Sequence, residues 1–469
     1  EGSFAIVKEF LNDIINISVT FKSNVIVFFH NGSNFDMLLI MKVLLSYKDA
    51  SMICRDNRFY QLSFKHKEYN IYWRDSYHMI PKSLNDTAKI LDLSKKNSFD
   101  ISSINLKNIR QDKNSYFWKS LNQYLITDIV LLYNILYYYR EACYISFNID
   151  AFYYKTLTAM SLDIFLKKYY KSNIYRLDDS KDIFIRQAYK GGISSVYETE
   201  AKDIVVLDIN SFYPSIMKKY NMPIGPGEWV FDDIDLENFF GFVECEIIAP
   251  RYNIPPLSFN HHTRGLIEPY GTWKAVYFSE EVKYAKSKGY LITPVRGIAF
   301  QQANIFNNII TDFYELKKKT NKMEGLVIKL IMNSLYGRFG MKTYAQRTEV
   351  MNLHEKLIIE ALHNVIRTVK LKNNFFLVTY HQTINQNAIN FLRKKFYPPH
   401  ISAAVTSYGR ILLNKFKFNN KIVYSDTDSI IILLQDIRYF TKNISKRLGD
   451  FKIESKAKNG FFKAPKVYA

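Results

Sequence analysis

Apolar and polar positions change texture several times along this chain, and each texture predicts an element. Val25–Phe29 is an unbroken apolar run of strand length. Ile204-Val205-Val206-Leu207 is a second run, rich in β-branched residues, and both predict buried strands. Leu121–Tyr139 carries apolar residues at helical spacing and predicts a long amphipathic helix. Ile305–Leu335 predicts a helical stretch with Gly337 and Gly340 as its stop signals, and another helix is expected near Ala403–Phe416. Ile422–Ile432 sets apolar runs on both sides of a polar centre, which predicts a hairpin turning around Ser425–Ser429. Residues 222–300 hold most of the prolines and read as a loop-rich inserted module, whereas 341–400 is a polar, asparagine-rich interval. No internal repeat or low-complexity block interrupts the pattern.

Length and composition narrow the class. A chain of 469 residues exceeds what one core usually serves, and 48% apolar content with 16% aromatic excludes a disordered or fibrous protein. No run of eighteen apolar residues marks a membrane span, so no membrane partner is expected. Cys54, Cys143 and Cys245 form no CxxC pair, which excludes a disulfide scaffold or a Cys-rich zinc site. The net charge of +20 points to a polyanion, nucleic acid first. Abundant Lys, Asn, Ile, Tyr and Phe also match A/T-rich codons, so coding bias explains the charge alone equally well. The chain opens at Glu1 without a Met or a signal-like segment.

Three segments hold candidate chemistry. Side chains alternate along a strand, so Asp426 and Asp428 in Tyr424-Ser425-Asp426-Thr427-Asp428-Ser429 are expected on one side. Adjacent carboxylates repel unless a hard cation such as Mg²⁺ neutralises them, although a solvated acidic turn fits the same residues. Asp208 ends a strand just before Asn210-Ser211-Phe212-Tyr213-Pro214, a rigid position suited to a metal ligand or to a helix cap. With Asp428 it would form the acid pair of a two-metal clamp for phosphoryl or nucleotidyl transfer. Lys329, Asn333 and Tyr336 share one helical face, which offers a cation for a triphosphate and a ring for a base or sugar, or is a solvated stripe. Lys317, Lys318 and Lys319 add phosphate-binding charge or form a plain solvated run.

In this order the segments resemble motifs A, B and C of family B DNA polymerases: DxxSxYP at Asp208–Pro214, KxxxNSxYG at Lys329–Gly337 and YxDTDS at Tyr424–Ser429. The resemblance implies DNA-directed DNA synthesis, in which a primer 3′-OH attacks the α-phosphate of a dNTP with two Mg²⁺ ions at the site. It implies Asp208 and Asp428 as metal-binding carboxylates, with Asp426 as the adjacent motif C acid. Ser211, Tyr213, Lys317, Lys329, Asn333 and Tyr336 are then nucleotide-binding, Tyr213 lying under the sugar and excluding a 2′-hydroxyl. Tyr189-Lys190-Gly191-Gly192 resembles YxGG, Thr406–Arg410 a Tx2GR pattern and Lys466-Val467-Tyr468 the KxY motif. Through these, Tyr189, Gly191, Gly192, Thr406, Arg410, Lys466 and Tyr468 are expected to contact DNA, the glycines by close backbone approach.

The amino-terminal third resembles a 3′–5′ exonuclease: Asn31, Phe35 and Asp36 match its Exo II motif, and Tyr124 and Asp128 its Exo III motif. The resemblance makes Asp36 and Asp128 metal ligands, but no DxE of an Exo I motif occurs in residues 1–30, so proofreading is not expected from this chain as written. The long gaps between Asp208 and Lys329 and between Asn333 and Asp426 resemble the protein-primed branch, whose two palm insertions contact a terminal protein and encircle the template. Growth of ordinary loops would produce the same gaps.

The expected fold is therefore multidomain, α/β and α+β, with an RNase H-like exonuclease domain followed by a palm and fingers with two insertions. Its divisions are an exonuclease-like domain over 1–150, palm over 151–230, a first insertion over 231–304, fingers over 305–340, a second insertion over 341–401 and the rest of the palm over 402–469. The thumb that follows KxY in the family is expected to be missing, so the chain reads as part of a longer frame. The implied partners are DNA primer-template, dNTPs and a terminal protein, with the chain acting as a monomer. Composition and branch suggest a mitochondrial linear plasmid, or a viral or cytoplasmic linear element. The competing reading is a non-catalytic nucleic-acid-binding relic; an exonuclease alone is disfavoured by its incomplete motif set.

Overall fold

The apolar run Val25–Phe29 forms strand β1 in the computed structural model, which describes residues 2–44, 50–55, 58–93, 116–171, 173–341, 346–371, 374–381 and 397–469. These divide into two units: residues 1–160, 319–330 and 342–394, and residues 161–318, 331–341 and 395–469.

In the first unit, α1 (Gly2–Thr20) precedes β1, followed by α2 (Asp36–Leu44), β2 (Ser51–Arg55), β3 (Arg58–His66) and β4 (Tyr69–Asp75). The sheet order is β1-β4-β3-β2, with β1 parallel to β4 and the other pairs antiparallel. Leu62, Phe64, Ile71 and Trp73 from the sheet share one core with Leu11 of α1 and Met37 and Ile40 of α2. After α3 (Leu84–Leu91), helix α4 spans Tyr116–Phe147, longer at both ends than the periodicity predicts. It contains no Gly or Pro to break it, and it ends where Asn148 turns to positive φ (56°).

The chain passes into the second unit within α5 (Leu157–Lys168), and α6 (Asp179–Ala188), β5 (Ser194–Val196), β6 (Glu200–Ile209) and α7 (Phe212–Lys219) follow. Residues 222–303 then form β7 (Met222–Val230), β8 (Gly241–Ala249), β9 (Phe259–His261), β10 (Gly265–Ile267), β11 (Gly271–Phe278), α8 (Ser279–Lys286) and β12 (Leu291–Ala303). This stretch is sheet, not the loop-rich module expected: β11-β8-β12-β7 is antiparallel throughout, and β9 and β10 pair as a separate ribbon. Its prolines avoid the hydrogen-bond ladder. Pro223 and Pro226 sit on the edge strand β7, and Pro294 lies at a register shift in β12.

The predicted helical stretch is two helices, α9 (Asn307–Lys319) and α10 (Lys322–Phe339). Gly337 lies inside α10 with open space around it and stops nothing; the helix ends just before Gly340. Of the polar interval, residues 342–345, 372–373 and 382–396 lie outside the described residues. The remainder belongs to the first unit as β13 (Gln346–Met351), α11 (Leu353–Leu362), β14 (Asn364–Lys370) and β15 (Phe376–His381), in a sheet ordered β13-β15-β14.

Helix α12 (Pro399–Lys417) is buried along most of its length and packs on α6, α7 and α8 of the second unit. Strands β16 (Tyr424–Asp426), β17 (Ser429–Leu433), β18 (Phe451–Ala464) and β19 (Val467–Tyr468) complete a six-stranded sheet ordered β19-β18-β6-β17-β16-β5. Each of its longest strands pairs with β6, the Ile204–Leu207 run predicted to be buried.

Candidate active site

Strand β6 delivers Asp208 to the end of this sheet, opposite Ser429 on β17 and Lys452 on β18. The chain then reverses at Ser211, whose φ of 48° is left-handed. Helix α7 starts at Phe212, with Pro214 in the first turn, where a missing N–H costs no helical hydrogen bond.

Asp426 pairs with Ser429, so Thr427 and Asp428 form a two-residue turn, with Thr427 at φ 55°. Strand alternation therefore does not set the relation of the two acids, as it was expected to, because Asp428 lies beyond the strand. A hydrogen bond of 2.9 Å from the Ile209 N–H to the Asp428 carbonyl instead ties the turn to the end of β6. Burial, followed by the charge of Asp208 and then that of Asp426, pushes the Asp428 carboxyl up to about 6. Lysines balance the other two acids. Lys452 Nζ lies 3.0 Å from Asp208 Oδ1, and Lys466 Nζ lies 3.1 and 2.9 Å from the two carboxylate oxygens of Asp426.

Mutually repelling carboxylates that draw ammonium groups fit a hard divalent cation. Among the described residues, no group of three or more His, Cys, Asp or Glu side chains is placed to hold a metal ion. Asp208 and Asp428, whose carboxylates repel one another, are the pair that could be offered to such an ion. That suffices for Mg²⁺, which often takes one or two carboxylates and completes its shell with water and substrate phosphates.

An aromatic floor adjoins the acids. The rings of Tyr213 and Tyr336 stand 4.2 Å apart between centroids, inclined by 35°. Burial pushes the Tyr213 phenol up to about 12, so it remains neutral. Ser402 Oγ donates to the Tyr336 carbonyl, which holds this turn of α10. Asn333 and Lys329, one and two turns earlier on that helix, are exposed. Lys317 and Lys318 lie near the end of α9, where Lys318 pairs with Glu315 at 2.7 Å.

Some residues expected to touch DNA are buried instead. Arg410 keeps only 4% of its side-chain surface exposed. Its guanidinium bonds Glu281 Oε1 and Oε2 at 2.7 and 2.9 Å, Ser407 Oγ at 2.8 Å, and the Lys190 and Gly191 carbonyls at 2.6 and 3.0 Å. No donor is left over for a template, so Arg410 fixes the YxGG backbone from beneath. Thr406 is buried too, and its hydroxyl donates to the Ala403 carbonyl. The space above Gly192 belongs to Thr427, whose side chain would lie 2.5 Å from an added Cβ; Gly191 faces open space. Tyr189 packs so closely on Gly340 that a Cβ there would meet its ring at 2.5 Å. Arg186, paired with Asp182, donates to the Gly340 and Met341 carbonyls. Lys466 and Tyr468 are exposed. Sequence reasoning missed Glu281, Arg186 and Lys452, which carry no motif.

In the first unit, Asn31 takes positive φ (61°), Phe35 is 66% exposed, and Asp36 opens α2 at the surface. Tyr124 and Asp128 are half-buried on α4. Another acid organises the Exo II-like turn. Buried Asp75, at the end of β4, accepts from the Asn31 N–H at 2.8 Å, the Ser33 N–H at 3.0 Å and the Ser33 hydroxyl at 2.5 Å.

Residues 17–422 match the family described as DNA polymerase type B, organellar and viral. That match ends just before the Tyr424–Ser429 hairpin. A probable DNA polymerase of Podospora anserina is 30% identical over 482 residues, covering 90% of this chain and 40% of that protein. One of Ascobolus immersus is 29% identical over 492 residues, covering 94% and 40%. The chain thus spans 40% of the length of each of these relatives. Phi29 DNA polymerase complexed with primer-template DNA superposes with a TM-score of 0.74 over 98% of this chain and 80% of that one, at 19% identity, and so shares the fold.

Proposed function

The chain belongs to the organellar and viral type B DNA polymerases, and from that premise we propose that it carries their nucleotidyl-transfer site, adding dNTPs to a primer 3′-hydroxyl on a DNA template with release of pyrophosphate. The observation that carries this reading is the meeting of Asp208 and the Asp428 turn at the end of β6, tied by the hydrogen bond from the Ile209 N–H to the Asp428 carbonyl, beside the tilted pair Tyr213 and Tyr336. Asp208 and Asp428 would hold Mg²⁺, which when bound supplies charge neutralisation at the phosphates and a lowered pKa at the attacking hydroxyl. The acids hold their place through the β6 register and the two-residue turn, so their geometry is set before substrate arrives. Tyr213 stays neutral and packed, and so presents a rigid wall to the 2′ position of a sugar. Asn333 offers a polar contact from α10, the motif B resemblance alone adds Lys329, and exposed Lys466 and Tyr468 suit the primer strand.

In this reading residues 231–304 form the module that meets a priming protein, supported by the separate sheet β11-β8-β12-β7 to which most of them belong, between motifs A and B. Residues 1–150, which lie in the first unit, are the exonuclease-like part. The A/T-codon composition and the fungal relatives support a mitochondrial plasmid-type element as its home. Primer extension tests the core of the proposal. D208N and D428N are expected to abolish incorporation while retaining DNA binding, and an active double variant would overturn it. Y213V is expected to admit ribonucleotides. Protein priming predicts transfer of one labelled dNMP to a protein hydroxyl when template is present without a nucleic-acid primer.

A further inference from the structure

Strand β18 lies antiparallel to β6 with Lys452 directly opposite Asp208, and Lys452 Nζ sits 3.0 Å from Asp208 Oδ1. The pairing slips one residue later. Ile453 faces Leu207 and Ser455 faces Val206, which leaves Glu454 as the extra residue of a bulge. Glu454 Oε1 lies 3.9 Å from the same Nζ, so the lysine has a second anion within reach. None of the motifs read in the sequence includes either residue.

We propose that Lys452 is the resident counter-ion of the catalytic acids, a positioning residue that holds an Asp208 oxygen until a divalent cation displaces it toward Glu454. The proposal rests on the reading of Asp208 and Asp428 as metal ligands. The competition is electrostatic: an ammonium and a divalent ion repel one another at neighbouring positions on one carboxylate, so one leaves as the other binds. The lysine side chain is 44% exposed and that of Asp208 21%, so the pair is weak enough to exchange. Glu454, 53% exposed, keeps the displaced charge beside the site instead of releasing it to solvent. Before a cation binds, the lysine also relieves repulsion among Asp208, Asp426 and Asp428.

The test is Mn²⁺ binding to the full chain, followed by electron paramagnetic resonance without DNA or nucleotide. K452Q is expected to bind Mn²⁺ about fivefold tighter, the scale of a half-exposed ion pair. K452R should keep the parent affinity, and K456Q, which removes an exposed charge from the same strand, should leave it unchanged. Equal effects of K452Q and K456Q, or no tightening in K452Q, would overturn the proposal. The D208N/D428N variant separates the two readings. If it binds Mn²⁺ like the parent, the assignment of the metal ligands fails. If binding is lost there but K452Q matches the parent, only the role of Lys452 fails.

Discussion

The second unit holds its charges in two different ways. At the end of the six-stranded sheet, Asp208 and Asp426 are each met by a lysine that is substantially exposed. Beneath them, Arg410 and Glu281 are buried with 4% and 0% of their side-chain surfaces exposed, and Lys417 with Glu268 with 1% and 10%. Lys417 also reaches Tyr197 and Ser425, so that buried pair ties α12 to the motif C strand. The difference separates two duties. Charges that the proposed function assigns to a substrate or metal keep partners they can exchange, whereas charges that hold the backbone are enclosed and hydrogen-bonded.

Breaking an enclosed pair should therefore cost most. E281A leaves the Arg410 guanidinium buried without its counter-charge, and destabilisation of about 3–5 kcal/mol is expected in urea unfolding. Next comes the glycine wedged under the motif C turn. G192A should cost about 1–3 kcal/mol through its clash with Thr427, and the G192A/T427A pair should recover part of that loss.

His400 sharpens the comparison as a buried group that is stacked on Phe300 and makes no hydrogen bond through either ring nitrogen. Burial lowers its pKa from 6.5 to about 3, so the folded protein keeps it neutral. Below the unfolded pKa the unfolded chain binds a proton that the folded chain refuses, so stability falls as pH drops from 6.5 toward 3. Thermal melts at pH 5.5 should show about 1.4 kcal/mol of this loss, and H400F should remove it. The smallest effect belongs to the exposed set. K466Q should change stability by less than about 1 kcal/mol, and a larger loss would mean that the two sets are not distinct.

The residues that were legible are those whose role follows from local pattern. The β-branched run before Asp208 and the paired runs around Asp426 and Asp428 declare a strand and a hairpin without any knowledge of neighbours. What stayed hidden depends on register or on distant packing. Asp428 was placed on a strand because alternation says nothing about where a turn begins. The Tx2GR resemblance assigns Arg410 to DNA and reveals nothing of its partner Glu281, which lies 129 residues away and carries no motif. Lys452 acquires meaning only once β18 is laid beside β6. The prolines of 222–300 suggested loops, since sequence does not reveal which strands lie at an edge or which carry a bulge.

The central position of β6 also bears on how the chain is made. Both of its partners, β17 and β18, lie far downstream, so on a ribosome the Ile204–Leu207 strand emerges long before either can pair with it. At ordinary rates of synthesis that interval is on the order of tens of seconds, during which an apolar strand has two open edges. Non-local pairing of this kind is slow to form and open to aggregation. Productive synthesis should therefore depend on chaperone capture of the nascent chain.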